Sequence, residues 1–172
     1  MGEFRAGAEH AAKRCVEVLV ALESPDPALT IAGLTAFGED VEHLSAIDMK
    51  ELSRAATTLR AVAAASDAAG ASTVLNQILK KCQPVRLTNH EGTAWHLHVD
   101  SSDEASWAEW FLASSALALA ILLAETQRPP MGLCAADGCS NPFLTLGSGR
   151  PRRFCSTSCA TRTRVASHRA HR

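Results

Sequence analysis

Apolar residues recur at helical spacing through much of the first hundred positions. Between Ala6 and Glu23, Ala8, Ala12, Cys15, Val16, Leu19 and Leu22 fall three or four apart, while Glu9, Lys13 and Glu17 form a polar stripe. That period predicts a helix with one buried face. The prolines of Ser24-Pro25-Asp26-Pro27 break it. Ala28 to Phe37 predicts a short helix ending at Gly38. From Asp40 to about Ala65 the pattern is helical again, through Val41, Leu44, Ile47, Leu52, Leu59 and Val62. A cap at Ser45 or Asp48 would divide it. Ala69-Gly70 reads as a break, and Ser72 to Lys81 as another helix with Val74, Leu75, Ile78 and Leu79 inward.

The period then changes to two. Val85 and Leu87 alternate with polar neighbours, as do Trp95, Leu97 and Val99 beyond the turn-forming Asn89-His90-Glu91-Gly92. A β-hairpin over residues 84–99 is expected, its apolar face packed on the helices. His96 and His98 would share the opposite, solvent-facing side; neither they nor His90 and Glu91 at the turn are read as a second site. Ser102-Asp103-Glu104 opens a long helix to Gln127, with acids in the first turn, where the macrodipole favours them. Trp110 to Ala124 carries no charge over 15 residues, short of the roughly 20 that a bilayer requires. A helix apolar nearly all round is expected at the centre of a bundle, with Trp107, Trp110 and Phe111 in the core. Arg128-Pro129-Pro130 ends it. No internal repeat is evident, and Gly147-Ser148-Gly149 lacks the strand–helix context of a phosphate loop.

The remaining stretch follows a different logic. Cys134 and Cys139 are separated by four residues and Cys155 and Cys159 by three, with a Gly/Pro/Arg-rich span between the pairs. Two short-spaced pairs supply four thiolates to tetrahedral Zn²⁺ with little loop entropy. A tail this short buries little apolar surface, so the metal would act as its core. Gly138 suits a positive-φ turn, and Phe143, Leu144 and Leu146 suggest a short strand. Ser156 would cap a helix to about His171, placing Cys155 and Cys159 at its N-terminal turn, where thiolates are favoured. Knuckle, hairpin and helix around one Zn²⁺ make a treble-clef-like arrangement. A site closed by four thiolates has no open position, so the zinc is structural and no enzyme is expected. Cys15 and Cys82, alone in helical patterns, read as buried structural thiols.

Composition adds an asymmetry. The net charge is −1, yet residues 1–130 hold 10 Lys+Arg against 17 Asp+Glu, and residues 131–172 hold 7 Arg against the single acid Asp137. A basic tail on an acidic body suggests a polyanionic partner, DNA above all. Arg150, Arg152, Arg153, Arg162, Arg164, Arg169 and Arg172 are the candidate contacts, since guanidinium suits phosphate and guanine. A helical wheel places Arg162 with Val165 and Arg169, apart from the small face of Cys159, Thr163 and Ala166. The other reading is a zinc-stapled protein-interaction module whose arginines meet an acidic protein surface. The N-terminus, polar and of mixed charge, suggests no signal peptide, so a cytoplasmic protein without membrane partners is expected.

The tail resembles the CGNR zinc finger, a C-terminal module of bacterial proteins regarded as transcription regulators. The resemblance lies in Cys134-x4-Cys139, Arg152-Arg153-Phe154-Cys155-Ser156, Cys155-x3-Cys159 and the terminal Arg162…His168-Arg169 pattern. Where the family's naming motif reads Cys-Gly-Asn-Arg, this chain has Cys159-Ala160-Thr161-Arg162. The order of the preceding elements is similar to the stress-response-associated domain usually found upstream of that finger. The combined expectation is a mainly α fold with one β-hairpin (α+β): a helical body over 1–130 and a zinc finger over 131–172. The body would bind a small-molecule effector or dimerise, and the finger would bind DNA in a nucleoid-associated homodimer.

Overall fold

The computed structural model describes residues 2–89, 95–99, 101–102, 104–146, 149 and 151–170. In chain order the elements are α1 (Gly2–Ala21), α2 (Pro27–Ala36), α3 (Ala46–Ala63), α4 (Ala68–Leu79), β1 (Arg86–Thr88), β2 (His96–His98), α5 (Trp107–Thr126), β3 (Met131–Leu133), β4 (Pro142–Leu144) and α6 (Thr157–Ala170). The fold is mainly α with small antiparallel hairpins, as expected: among the described residues β1–β2 lies in the body and β3–β4 in the finger.

Local chemistry sets the helix starts. Asp26 accepts from the Ala28 amide at 3.0 Å, with Pro27 at the first helical position of α2. Ser45 and Asp48 form a capping box, each side chain accepting from the other residue's amide. The cap is therefore a helix start: residues 40–44 are not helical but make one turn, closed by the Leu44 amide on the Val41 carbonyl, and Val41 and Leu44 pack half-buried on the core. Ala69-Gly70 is not a break. Asp67 accepts from the Gly70 amide at 2.8 Å and so starts α4 one turn earlier than apolar spacing suggested.

Helix α5 is the centre, packed against α1, α3 and α4. Phe111, Ala116, Leu119 and Leu122 are fully buried on it. Leu19 and Val18 of α1 and Leu52, Leu59 and Val62 of α3 complete the same core. Each large side chain so buried contributes about 1.5–3 kcal/mol. At 20 residues, α5 is long and apolar enough to cross a membrane by length and composition alone; here its apolar surface goes to three neighbouring helices. Trp107 and Trp110 are half-buried and stack edge-to-face at 5.4 Å. Arg14, itself buried, lies 4.1 Å over the Trp110 ring, pairs with Glu39 and donates to Ser114 Oγ at 2.8 Å. Helix α5 ends at Gln127, whose amide still donates to the Leu123 carbonyl while its left-handed φ of 55° turns the chain out of the helix. Cys15 is fully buried, which pushes its thiol up to about 12; Cys82 is half-buried, with burial raising it first and Glu109 second.

The β1–β2 hairpin departs from expectation. Its register, Arg86↔His98, Leu87↔Leu97 and Thr88↔His96, matches the alternation. Its apolar side, however, is the open one: Val85, Leu87 and Trp95 are 57–66% exposed. The polar side is half-buried, and His96 and His98 meet Nε2 to Nε2 at 2.9 Å rather than facing solvent. Period two fixes which residues share a face but not which face the body covers. Among the hairpin's described residues only Val99, where the chain leaves the strand, is buried, and its carbonyl accepts from the Gln83 amide. The turn expected at Asn89–Gly92 lies, beyond Asn89, outside the described residues.

Candidate metal centre

The metal centre begins on the body. In β3–β4, Met131 pairs with Leu144, Gly132 with Phe143 and Leu133 with Pro142. The hairpin lies against α1 and α3, and Met131 belongs to the body core. Gly132 allows the close approach: a Cβ there would sit 3.0 Å from the Phe143 ring. The finger's hairpin was expected beyond the knuckle. Instead the knuckle is the tip of the hairpin, with β3 leading into Cys134 and β4 leading away from Cys139. Strand pairing thus fixes the first cysteine pair from both sides.

Within the knuckle, the Cys134 amide donates to the Asn141 carbonyl at 3.0 Å and the Cys139 amide to the Ala136 carbonyl at 3.0 Å. Gly138 supplies the required φ of +70°. The Ala135 amide donates to the Arg153 carbonyl at 2.8 Å, drawing in the segment that carries the second pair. Ser156 Oγ accepts from the Cys159 amide at 3.2 Å and so caps α6, placing Cys155 and Cys159 at its N-terminus as expected.

The four thiols converge. Cys139 Sγ and Cys159 Sγ each lie 3.7 Å from Cys155 Sγ, and all four sulfurs fall within 4.8 Å of one another. Tetrahedral ligation with Zn–S bonds of about 2.3 Å places sulfurs roughly 3.8 Å apart. Donor type, number and spacing therefore fit one structural Zn²⁺, held by Cys134, Cys139, Cys155 and Cys159. Bound there, the metal would cross-link α6 to the knuckle through its four thiolates. Burial pushes the Cys155 thiol up to about 12, reinforced by its thiol neighbours. At Cys134 burial acts in the same direction, but hydrogen bonds led by the Cys155 and Ala136 amides outweigh it and hold the thiol at about 7. Of these two, Cys134 is the readier thiolate, and Cys155 gives up its proton to a bound cation. The site's packing is its own: Cys134, Ala136 and Cys159 are buried with Cys139, Phe154 and Cys155 against them.

The arginines separate into two groups. Arg152 is tied into the finger: Nε donates to the Phe154 carbonyl at 2.7 Å, Nη2 donates to the Cys155 carbonyl, and the guanidinium lies 5.1 Å over Phe143. Arg162 reaches the Cys159 sulfur and the Asp137 carbonyl, joining the two faces that the helical wheel separated. Arg153 lies over the Phe154 ring at 5.7 Å with its residue exposed. Among the described residues, Arg164 meets a neighbouring hydroxyl, Thr161 Oγ1 at 3.4 Å, and Arg169 is exposed. Arg150 and Arg172 lie outside the described residues. Among the described residues, the ion pairs belong to Arg5, Arg14 and Arg60 of the body, and no tail arginine meets a carboxylate.

Arg60 is the participant that sequence reasoning missed. From α3 it donates to the Leu19 carbonyl at 2.8 Å and to the Ser140 carbonyl beside the knuckle at 3.3 Å, and it pairs with Glu23 at 2.7 Å. Eighty positions separate it from Ser140, and no local spacing signals the contact. Ala160 and Thr161 simply continue α6, so the Gly-Asn of the family motif is not needed for the helix to form.

No curated protein matches this chain. Residues 131–172, from the first residue of β3 to the end of the chain, match the family model of the CGNR zinc finger.

Proposed function

We propose that this protein is a zinc-dependent DNA-binding transcription regulator whose finger meets the duplex through α6. The observation that carries the reading is the exposed surface of that helix. Arg164 and Arg169 stand in solvent with no carboxylate against them among the described residues, and Arg153 is exposed at the approach to Cys155. Guanidinium groups without internal counter-ions suit a phosphate backbone, and helix-borne ones suit a groove. A 14-residue helix spans few base pairs, so the reading includes a homodimer acting inside the cell, with the body as dimerisation or effector domain.

Fluorescence anisotropy of a random-sequence duplex, titrated with zinc-loaded protein at several salt concentrations, tests this. Affinity should fall linearly in log–log form, at about 0.9 per phosphate contact. Arg164→Ala with Arg169→Ala should flatten the slope by roughly two contacts, and chelation should abolish binding. No binding even at low salt would remove the DNA reading and leave the finger as a protein-binding module.

A further inference from the structure

Arg162 projects from the second turn of α6, three residues after Cys159. One terminal nitrogen, Nη2, lies 3.6 Å from Cys159 Sγ and 3.4 Å from the carbonyl oxygen of Asp137. The sulfur belongs to the helix and the carbonyl to the knuckle, so a single nitrogen with two hydrogens spans the joint between the two cysteine pairs. We infer that Arg162 is a positioning residue of the metal centre, clamping α6 onto the knuckle and donating to the Cys159 thiolate, rather than a DNA contact.

Electrostatics favours this role. Four thiolates around one divalent cation leave a net charge of −2, and Asp137, the tail's one acid, is exposed beside the site. A guanidinium at hydrogen-bond range offsets that charge and strengthens as the sulfur becomes anionic. Second-layer donors of this kind orient ligands and tune their metal. Arg164, two residues further on, provides the comparison: it has the same charge and the same helix, but its partner is Thr161 Oγ1. The inference holds whether or not the finger binds DNA.

The test is chelator competition on the full zinc-loaded chain, paired with the sulfur-to-metal charge-transfer band of the Co²⁺-substituted protein. Arg162→Ala should weaken zinc retention by about 10–100-fold and move the band to longer wavelength, because an unbonded thiolate is easier to oxidise. Arg162→Lys, which keeps a donor but not the fork, should fall between that variant and the parent in both readouts. Arg164→Ala should change neither. Unchanged zinc retention with an unshifted band in Arg162→Ala would overturn the inference. So would an equal loss in Arg164→Ala, which would make charge rather than the contact the cause.

Discussion

The body and the finger are held by opposite means. The body surrounds α5 with α1, α3 and α4 and buries Phe111, Leu19, Leu59 and Leu119 completely. The finger has Cys134, Ala136 and Cys159 as its buried centre, and α6 beyond Ala160 is exposed except for half-buried Thr163. Area removed from water stabilises the first; ligation must stabilise the second. The β3–β4 hairpin spans both regimes, because Met131 sits in the body core while the hairpin tip carries the first cysteine pair. Half of the metal site is thus held by body packing, and half hangs on α6.

The largest way to break this comparison is at the sulfurs. Cys155→Ser removes the thiol that lies 3.7 Å from both Cys139 and Cys159. Structural zinc contributes on the order of 10–16 kcal/mol in comparable peptides. The variant should bind zinc with stoichiometry near zero by metal analysis and lose the helical signal of α6, while the body's thermal transition stays close to that of the parent. Next comes the apolar side. Phe111→Ala should cost the body about 3–5 kcal/mol, seen as a lower urea midpoint; the folded fraction should still bind one zinc per chain, because Phe111 is not part of the sulfur cluster. The smallest effect sharpens the comparison at a purely local feature. Ser45→Ala removes the capping box of α3 and should cost about 1 kcal/mol. Hydrogen bonds from the Ser45 hydroxyl and amide lower the Asp48 carboxyl below its ordinary value. Its share of the stability is therefore present above the ordinary carboxylate value of about 3.9. It is lost as the pH falls below that value through the depressed one. Urea midpoints of parent and Ser45→Ala should therefore draw closer at acidic pH.

The regions also differ in how far their residues reveal them. Helix α5 is legible because a stretch apolar on every side has few places to go but the centre. The metal ligands are legible because ligation needs only residue type and spacing, both of which are linear in the chain. The β1–β2 hairpin shows the limit: alternation paired Leu87 with Leu97 correctly, yet the half-buried side is the one bearing His96 and His98. A period of two is the same whichever face is covered. Ala69-Gly70 misled for a different reason, since Asp67 caps the helix and offsets a glycine in its first turn. Arginine is the least legible residue of all. Arg152, Arg162 and Arg164 look alike in sequence, but long side chains choose partners only once the backbone is in place. One then binds carbonyls, one spans sulfur and carbonyl, and one meets a hydroxyl.

Amide hydrogen exchange on the full chain, before and after zinc is removed with a chelator under reducing conditions, tests the central claim that the finger's outer half depends on ligation for its order. Loss of protection should be confined to the knuckle and to residues 155–170, with α5 amides keeping protection close to that of the global fold. If α6 stayed protected without metal, or if α5 lost protection along with it, the division between a packed body and a ligated finger would be contradicted.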